Sequence, residues 1–379
     1  MTEQSPFFAR IRTASKALGG FHNAHLHLDR AGTLETPSNQ DSAAGQGTSS
    51  LSLSKKHGLI THIHSGPFYE TGSLAERLDY YLDRMVAAGT TRADTLVDVT
   101  TDGVGLRAFQ AFRETKARRS GEINLGLGAY TPLGFRDDEP ERWELVVEAA
   151  RQADFIGSLP ERDDTESYPQ HIGFLEHCRR MLALAGELSK SIHIHVDQRN
   201  DASERGAETV LQAIAEVGVP SSPSGEPMVW LIHLISPSTY EEGRFRKLVE
   251  GLKSHNVGVI CCPSAAISMR QFRPLKTPTF NSIARVLELL GEGVPVRVGS
   301  DNICDVCSPA GTPDLMWEIF VLCNAIRYYD EGALAKIAAG RALSEQECAA
   351  IRSHLSEDAV EVRLAVEKWA ASRPSLSEN

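Results

Sequence analysis

Long apolar runs and clusters of basic residues are both missing from this sequence. No apolar stretch approaches the roughly 18 residues that a membrane-spanning helix needs. Lysine and arginine are scattered, and the net charge is −11, which argues against a nucleic-acid or anionic-membrane surface. The first 20 residues contain no apolar segment of the kind found in secretory signals. We therefore expect a cytoplasmic protein that binds neither nucleic acid nor membrane.

Paired cysteines are also rare. The seven cysteines form an odd set, and several lie in apolar segments such as VICCP. The one CxxC spacing joins Cys304 and Cys307, and without a second such pair it does not make a zinc ribbon. We expect free thiols in a reducing compartment.

The 379 residues allow either one large α/β barrel or two smaller domains. Short apolar segments alternate with helix-length amphipathic segments, such as SLAERLDYYLDRMVAAG, almost throughout the chain. This alternation is the repeat of a TIM-like (β/α)8 barrel, an α/β fold. We predict eight strands, at about 21–28, 91–99, 123–130, 155–159, 191–197, 229–235, 257–263 and 294–301.

Two segments depart from this repeat. Residues 31–56 are rich in serine, glycine and threonine, and we interpret them as a long loop over the barrel mouth. Residues 331–373 are predicted to form C-terminal helices outside a barrel core of about 20–330. Because no linker divides the chain, we expect a single domain over residues 1–379.

The segment FHNAHLHLDRAG, residues 21–32, places polar groups in an apolar strand. Successive side chains alternate faces along a strand, so His25, His27 and Asp29 are predicted to project to the same side. Three such groups on one face of a buried strand are costly unless something binds them.

Residues of the same kind end several later strands. His193 and His195 end the fifth predicted strand, His233 the sixth and Asp301 the eighth. The carboxyl ends of barrel strands meet at the active-site end. Imidazole nitrogens and carboxylate oxygens are ligands that suit Zn²⁺ or Fe²⁺. The pattern therefore predicts a metal site at the barrel mouth.

The order of these residues resembles the amidohydrolase superfamily, in particular its cytosine-deaminase-like branch. AHLHLDRAGT resembles the first metal-binding strand of that branch. Further segments are similar to its later landmarks in the same order: GTTRADTLVDV, GLRAFQAF, HVDQRNDASE, CCPSAAISMRQF and GSDNICDVCSPAGTPDLM. The likeness covers roughly residues 20–330.

The resemblance implies four metal ligands: His25, His27, His195 and Asp301. It also implies that Asp301 is the general base and that His233 polarises the substrate or hydrogen-bonds the attacking water. Binuclear relatives bridge two metals with a lysine on the fourth strand, and FIGSL contains none, which favours one divalent ion, Zn²⁺ or Fe²⁺. His193 and Asp29 are then expected to lie behind the ligands.

Gln198 departs from the family pattern, which has a proton-shuttling glutamate three residues after the fifth-strand ligand. A glutamine amide cannot shuttle a proton, so either Asp301 performs every transfer or His193 or Asp197 substitutes. After the third strand, AYTPLGF supplies Tyr130 where a glutamine would read cytosine, which argues against that substrate. The candidate substrate contacts are Gln198, Asn302, Arg30, Tyr130, Glu161 and Arg270.

We therefore expect a mononuclear metal-dependent hydrolase of non-peptide C–N bonds, acting on a small nitrogenous substrate by deamination or amide hydrolysis. An isomerase or decarboxylase of the same superfamily, and a metal-binding relative without turnover, stay open as alternatives. Too few residues precede His25 for the β-sandwich of many members. Residues 1–20, the C-terminal helices or a second subunit of a homo-oligomer would then cover the barrel base. His57, His62 and His64 are interpreted as lid or surface histidines.

Overall fold

The computed structural model describes residues 5–34, 51–220, 222–269 and 283–372. Eight parallel strands pair in chain order into one sheet that forms a nearly closed barrel. The strands are β1 (Phe21–Leu26), β2 (Thr90–Asp98), β3 (Asn124–Tyr130), β4 (Phe155–Ser158), β5 (Ile192–Val196), β6 (Val229–His233), β7 (Val257–Cys261) and β8 (Val296–Val298). The predicted TIM-like barrel is confirmed.

Helices fill the intervals between the strands and surround the barrel. They are α1 (Pro6–Ala17), α2 (Leu53–Gly58), α3 (Ile60–His64), α4 (Thr71–Ala88), α5 (Arg107–Arg118), α6 (Pro140–Gln152), α7 (Phe174–Leu188), α8 (Gly206–Val217), α9 (Glu242–Ser254), α10 (Pro263–Ile267), α11 (Val286–Gly291), α12 (Met316–Ile326), α13 (Glu331–Ala338) and α14 (Glu345–Ser372). Three short 3-10 helices lie between these elements, at Pro67–Tyr69, Pro160–Asp163 and Ser236–Thr239.

The alternation of side chains along each strand separates two environments. On β5, Ile192, Ile194 and Val196 belong to the main core that continues into the surrounding helices. His193 and His195, the residues between them, therefore face the barrel interior. Two smaller apolar clusters lie apart from that main core: Ala24, Trp230, Ile232, Ile260, Cys262 and Ala265; and Leu96, Tyr130, Phe155 and Leu159.

The first and last strands meet at a seam that positions part of the site. The backbone N–H of Asp301 donates to the carbonyl of His25 at 2.9 Å, and the N–H of His27 donates to the carbonyl of Asp301 at 3.3 Å. A Cβ on Gly299 would lie 2.7 Å from Cβ of His25, so glycine is needed for this close approach. The backbone itself therefore sets His25 and His27 beside Asp301.

Some boundaries differ from the sequence prediction. β1 ends at Leu26, so His27 and Asp29 lie in the turn after the strand rather than on its face. α2 begins at Leu53, inside the predicted loop, and residues 35–50 lie outside the described residues. The C-terminal helices predicted over residues 331–373 are α13 and the long α14, which runs unbroken because no glycine or proline interrupts residues 345–372.

The turn after α13 covers part of the barrel base. A Cβ on Gly340 would lie 2.3 Å from Nδ1 of His22, and Arg341 donates to the carbonyl of Leu18 at 3.0 Å. α1 packs on α13. All strands in the described ranges belong to the barrel sheet. The described part of the chain therefore contains no β-sandwich. No helix in those ranges combines the length and apolar character needed to cross a bilayer.

Candidate metal centre

Four histidines and one aspartate meet at the carboxyl end of the barrel. Nε2 of His25 and Nε2 of His27 each lie 3.5 Å from Oδ1 of Asp301, and Nε2 of His233 lies 4.0 Å from its Oδ2. Ligand atoms of His25, His27 and His195 lie within 4.8 Å of one another, as do those of His25, His233 and Asp301. The structure therefore brings together every ligand predicted from the sequence.

His25 gives the test of whether these residues fit a metal. Its side chain is fully buried, and neither ring nitrogen has a hydrogen-bond partner in the described structure. Burying a polar atom without a partner costs free energy, and a cation bound to Nε2 would give that nitrogen a partner. Three imidazoles and one carboxylate are a donor set that suits Zn²⁺. The residues present therefore fit a divalent ion.

Two of these histidines have Nδ1 atoms engaged by the protein. Nδ1 of His195 lies 3.0 Å from the carbonyl oxygen of Ser158, so it donates and leaves the Nε2 lone pair free. Nη2 of Arg30 contacts Nδ1 of His27, while Nε of Arg30 lies 3.5 Å from Oδ2 of Asp98. Ligation through Nε2 of His27 requires a proton on Nδ1, and Arg30 would then pair with Asp98 alone.

Left-handed backbone turns two of the groups into the site. On β6, Trp230 and Ile232 belong to the smaller apolar cluster and Leu231 to the main core, so regular alternation would point His233 outward. Its φ of 75° turns it instead toward Asp301, whose own φ is 59°. Non-glycine residues in this region cost of the order of 1–3 kcal/mol, and such strain clusters at functional sites.

The electrostatics favour neutral imidazoles around an ionised carboxylate. Burial, followed by Arg30 and nearby histidines, holds the pKa of His27 well below its ordinary value, and burial lowers that of His233 to about 4. Burial also raises the pKa of Asp301, but the imidazoles of His25 and other nearby histidines outweigh it and the pKa lies below its usual range. Neutral imidazole and ionised carboxylate are the forms that bind metals.

Buried acidic side chains lie behind Arg30. Oδ2 of Asp29 accepts hydrogen bonds from the backbone N–H of Asp98 at 2.7 Å and from the hydroxyl of Tyr69 at 3.0 Å. Burial and the neighbouring Asp98 raise the pKa of Asp29 to about 6. His27, Asp29 and Asp98 also lie close enough to hold a cation, and the Arg30 guanidinium already supplies a positive charge there.

His193 lies deeper in the barrel than His195. Its ring packs on Phe155 with centroids 4.3 Å apart. Burial lowers its pKa to about 3, so it is neutral. This position is the one expected for a residue behind the ligands, and its supporting role stays a prediction.

A cavity of about 660 Å³ opens above the metal-type residues, within the range of small-molecule sites. The described candidate substrate contacts all line it: Arg30, Tyr130, Glu161, Gln198 and Asn302. Asn302 donates to Oδ2 of Asp305 at 2.5 Å, and Gln198 donates to Oε2 of Glu161 at 3.1 Å. Arg270 lies outside the described residues. Substrate contact by these side chains stays a prediction.

Sequence reasoning gave no role in the site to His57. It lies on α2, lines the cavity and is half-buried. A role as a lid residue stays a prediction. Burial, with Arg30 and Arg162 nearby, lowers its pKa to about 3. The sequence carries no local signal for this position, because α2 reaches the site only through the loop that precedes it.

The interpretation of His64 as a lid or surface residue is wrong, because its side chain is buried. Its buried ring lies between Asp98, at 3.0 Å from Nε2, and Asp102, at 2.8 Å from Nδ1. Burial lowers the pKa of His64, but the two carboxylates outweigh it and raise the pKa to about 9. Those partners lie 34 and 38 residues away, so no local spacing indicated them. His62, by contrast, is exposed.

A parallel barrel whose carboxyl end gathers four histidines and an aspartate is the arrangement expected for the amidohydrolase superfamily. No family profile matches the chain. An uncharacterized protein of Haemophilus influenzae is 29% identical over 292 residues, which cover 76% of this chain and 96% of that protein. A pterin deaminase of Rhizobium rhizogenes is 22% identical over 287 residues, covering 75% of this chain and 60% of that protein.

Several solved structures share the fold of this chain. A 5-methylcytosine deaminase from Klebsiella pneumoniae, with 5-fluorocytosine bound, has a TM-score of 0.68 at 21% identity and covers 88% of this chain and 82% of its own. An N-isopropylammelide isopropylaminohydrolase from Burkholderia multivorans scores 0.64 at 19%, with 85% and 73% covered. Atrazine chlorohydrolase from Arthrobacter aurescens, complexed with zinc, scores 0.52 at 15%, with 85% and 71% covered. The likeness to these solved structures is one of fold, and it agrees with the predicted resemblance to the amidohydrolase superfamily.

Proposed function

We propose that this protein is a mononuclear metal-dependent hydrolase that removes an amino group from, or opens an amide bond in, a small nitrogen-containing ring compound. The observation that carries the proposal is the convergence of His25, His27, His195, His233 and Asp301 around one point, with a cavity above it. The pterin and 5-methylcytosine deaminases among the similar proteins support the substrate class.

The proposed cofactor is one divalent ion, Zn²⁺ or Fe²⁺, held by His25, His27, His195 and Asp301. Three imidazoles and one carboxylate support this choice, and one similar structure was solved with zinc. β4 (Phe155–Ser158) has no lysine to bridge a second ion. When bound, such an ion would lower the pKa of a water molecule so that hydroxide is available as the nucleophile at neutral pH.

The residues of the chain then perform the proton transfers. Asp301, ionised and beside three imidazoles, accepts a proton from the attacking water. His233 is neutral and faces Asp301, so it can donate a hydrogen bond to the group on which charge develops. Tyr130, whose ring lies 5.4 Å from that of His27 and 5.6 Å from that of His195, bounds the cavity beside these two proposed ligands.

The proposed location is the cytoplasm. All seven cysteines are free thiols, and four of them are fully buried among apolar side chains, which supports a reducing compartment. A small nitrogenous substrate is the proposed partner. Assembly into a homo-oligomer stays a prediction from the sequence.

The test is a screen of amino-substituted nitrogen rings, cyclic amides and N-acyl compounds with zinc- or iron-reconstituted protein. Ammonia or carboxylate release is measured, with chelator-treated protein as the control. We expect release from at least one ring compound, abolished by chelation. A compound that is consumed without ammonia or a new carboxylate would favour an isomerase or decarboxylase. Bound metal with no turnover of any compound would contradict the proposal.

A further inference from the structure

Three carboxylates lie together where β4 and β5 end, and their partners differ. Asp197 accepts backbone hydrogen bonds from Gly206 at 2.7 Å and Ala207 at 2.9 Å. Glu204 pairs with Arg199 at 2.5 Å, and it also accepts a hydrogen bond from the Ser236 hydroxyl. Both carboxylates are buried and hydrogen-bonded on both oxygens, so they serve to hold this corner together.

Glu161, the third carboxylate, has a different environment. It lies in the 3-10 turn Pro160–Asp163 after β4 and lines the cavity together with His195 and Asp301. Its side chain accepts a hydrogen bond from the neutral amide of Gln198 at 3.1 Å. Among the described residues, no lysine, arginine or histidine forms an ion pair with it. Arg162, the next residue, donates to the hydroxyl of Tyr168 at 2.6 Å instead.

The charges that face Glu161 favour its protonated form. Burial raises its pKa well above the ordinary value, and the negative charges of Glu204 and Asp197 act in the same direction. Arg199 opposes them, but its guanidinium is paired with Glu204. The hydrogen bond from Gln198 also favours the ionised form, as the smallest of these influences. Its surroundings therefore favour the carboxylic acid form of Glu161, in the same cavity as the carboxylate of Asp301.

We infer that Glu161 is the second proton carrier of the proposed hydrolysis, and that Gln198 is a positioning residue that orients it through the amide hydrogen bond. The inference rests on the proposed function. Hydrolysis at an sp² carbon needs an acid for the ring nitrogen as well as a base for water. All three carboxylates line the cavity. Both oxygens of Asp197 and of Glu204 are held by hydrogen bonds, whereas the side chain of Glu161 accepts, among the described residues, the hydrogen bond from Gln198.

The steps balance for a ring of the type N=C–NH₂. As the C–O bond forms, Asp301 takes one proton from water and Glu161 gives its own proton to the ring nitrogen. As the C–N bond breaks, Asp301 gives its proton to the leaving amine, and ammonia departs. Glu161 takes the proton of the new hydroxyl as the carbonyl forms. Substrate and water thus become a cyclic amide and ammonia, and both carboxyl groups regain their initial states.

His193 and Asp197, the other two candidates for proton transfer, are less well positioned for it than Glu161. His193 packs on Phe155 one layer below the ligands, and it is absent from the cavity lining. Asp197 lines the cavity, but its two oxygens are occupied by the N–H groups at the start of α8. Proton transfer by Asp197 would break those hydrogen bonds at each turnover.

The test compares wild type, Glu161→Gln, Glu161→Gln/Gln198→Glu and the control Glu187→Gln. Glu187 is exposed on α7 and does not line the cavity. With a substrate from the ammonia screen, we expect Glu161→Gln to lower kcat by about 10²–10⁴-fold with KM nearly unchanged. Metal content should stay at the wild-type level. The double variant should regain part of kcat because a carboxyl group returns to the same hydrogen-bonded pair, and Glu187→Gln should match wild type.

A second readout does not depend on turnover. The infrared difference spectrum of wild type minus Glu161→Gln at neutral pH should contain the band of a protonated carboxyl group, which should disappear as the pH rises. Over the same pH range kcat/KM of wild type should fall. Full kcat in Glu161→Gln, or no protonated-carboxyl band, would overturn this inference alone. No ammonia release by wild type from any compound would overturn the proposed function as well.

Discussion

Asn23 on β1 and Ser300 after β8 exchange two hydrogen bonds across the line where the barrel closes. The Asn23 amide donates to the Ser300 hydroxyl at 2.9 Å, and the Ser300 backbone N–H donates to Oδ1 of Asn23 at 2.9 Å. Both residues are buried. Because Asp301 follows Ser300 directly, this pair also fixes the distance between the carboxylate and the histidines of the first strand.

Asn23→Ala should therefore weaken both the barrel and the metal site. Removing the amide leaves two buried groups of Ser300 without partners, at a cost of about 1–3 kcal/mol for each. Urea unfolding should show a lower midpoint with an unchanged slope, and metal affinity should fall. Asn324→Ala, at an exposed position on α12, is the control and should change stability by less than about 0.5 kcal/mol. Equal stability of the two variants would refute the role given to the seam.

His25→Ala should abolish metal binding. The wild-type chain is expected to carry about one ion, since the donor set matches one four-coordinate centre. The variant should purify without metal, and the thermal midpoint should no longer rise when metal is added. Elemental analysis and thermal unfolding measure these outcomes, with His62→Ala at an exposed position as the matched control. Two ions per wild-type chain would contradict the mononuclear proposal.

Asp301→Asn should remove the general base with at most partial loss of metal, since three imidazoles remain. We expect kcat to fall by about 10²–10⁴-fold. Steady-state kinetics, together with metal content, separate loss of the base from loss of the ion. Asp358→Asn, on the exposed part of α14, should behave as wild type. A fully active Asp301→Asn variant would exclude Asp301 from the mechanism.

His64 should make stability depend on alkaline pH. Its pKa in the folded chain, about 9, lies above the ordinary 6.5, so the protonated form is favoured by folding. The contribution is complete below about pH 6.5 and is lost as the pH rises through about 9. It amounts to about 3 kcal/mol at most. Urea unfolding of wild type and His64→Gln at several pH values measures it. A wild-type curve that is as flat as that of the variant would refute the buried ion pairs.

His57→Ala should weaken substrate binding while leaving the metal in place. The side chain lines the cavity from α2 and is neutral, so it can exchange hydrogen bonds with a polar substrate. Loss of one such bond should raise KM by about three- to tenfold with kcat nearly unchanged. Steady-state kinetics beside His62→Ala provides the comparison. A large fall in kcat would instead place His57 in the chemical steps.

Much of the fold followed from periodicity. Apolar segments of strand length alternating with amphipathic segments indicated eight βα units, and the observed strands lie within a few residues of the predicted ones. Even the short β4 (Phe155–Ser158) was located. The predicted strand boundaries are wrong where the backbone departs from regular strand geometry. One example is the end of β1, where the pairing with β2 is irregular.

The residues proposed to act together around Glu161 could not be predicted in that way. Gln198 and Glu161 were both candidate substrate contacts, but their hydrogen bond joins loops 37 residues apart. The positions of His57 and His64 likewise depend on how helices after the first loop pack against the barrel mouth. Such contacts are fixed by loop conformation and long-range packing, which leave no periodic trace in the sequence.

The sequence by itself determined the strand order and which histidines and aspartate meet as the proposed metal ligands, because in a parallel barrel every strand ends at the same rim and the residues at those ends must meet. Folding in three dimensions decided which buried groups are charged. Whether a histidine or carboxylate is neutral depends on burial and on the charges within a few ångströms, and those neighbours come from distant parts of the chain.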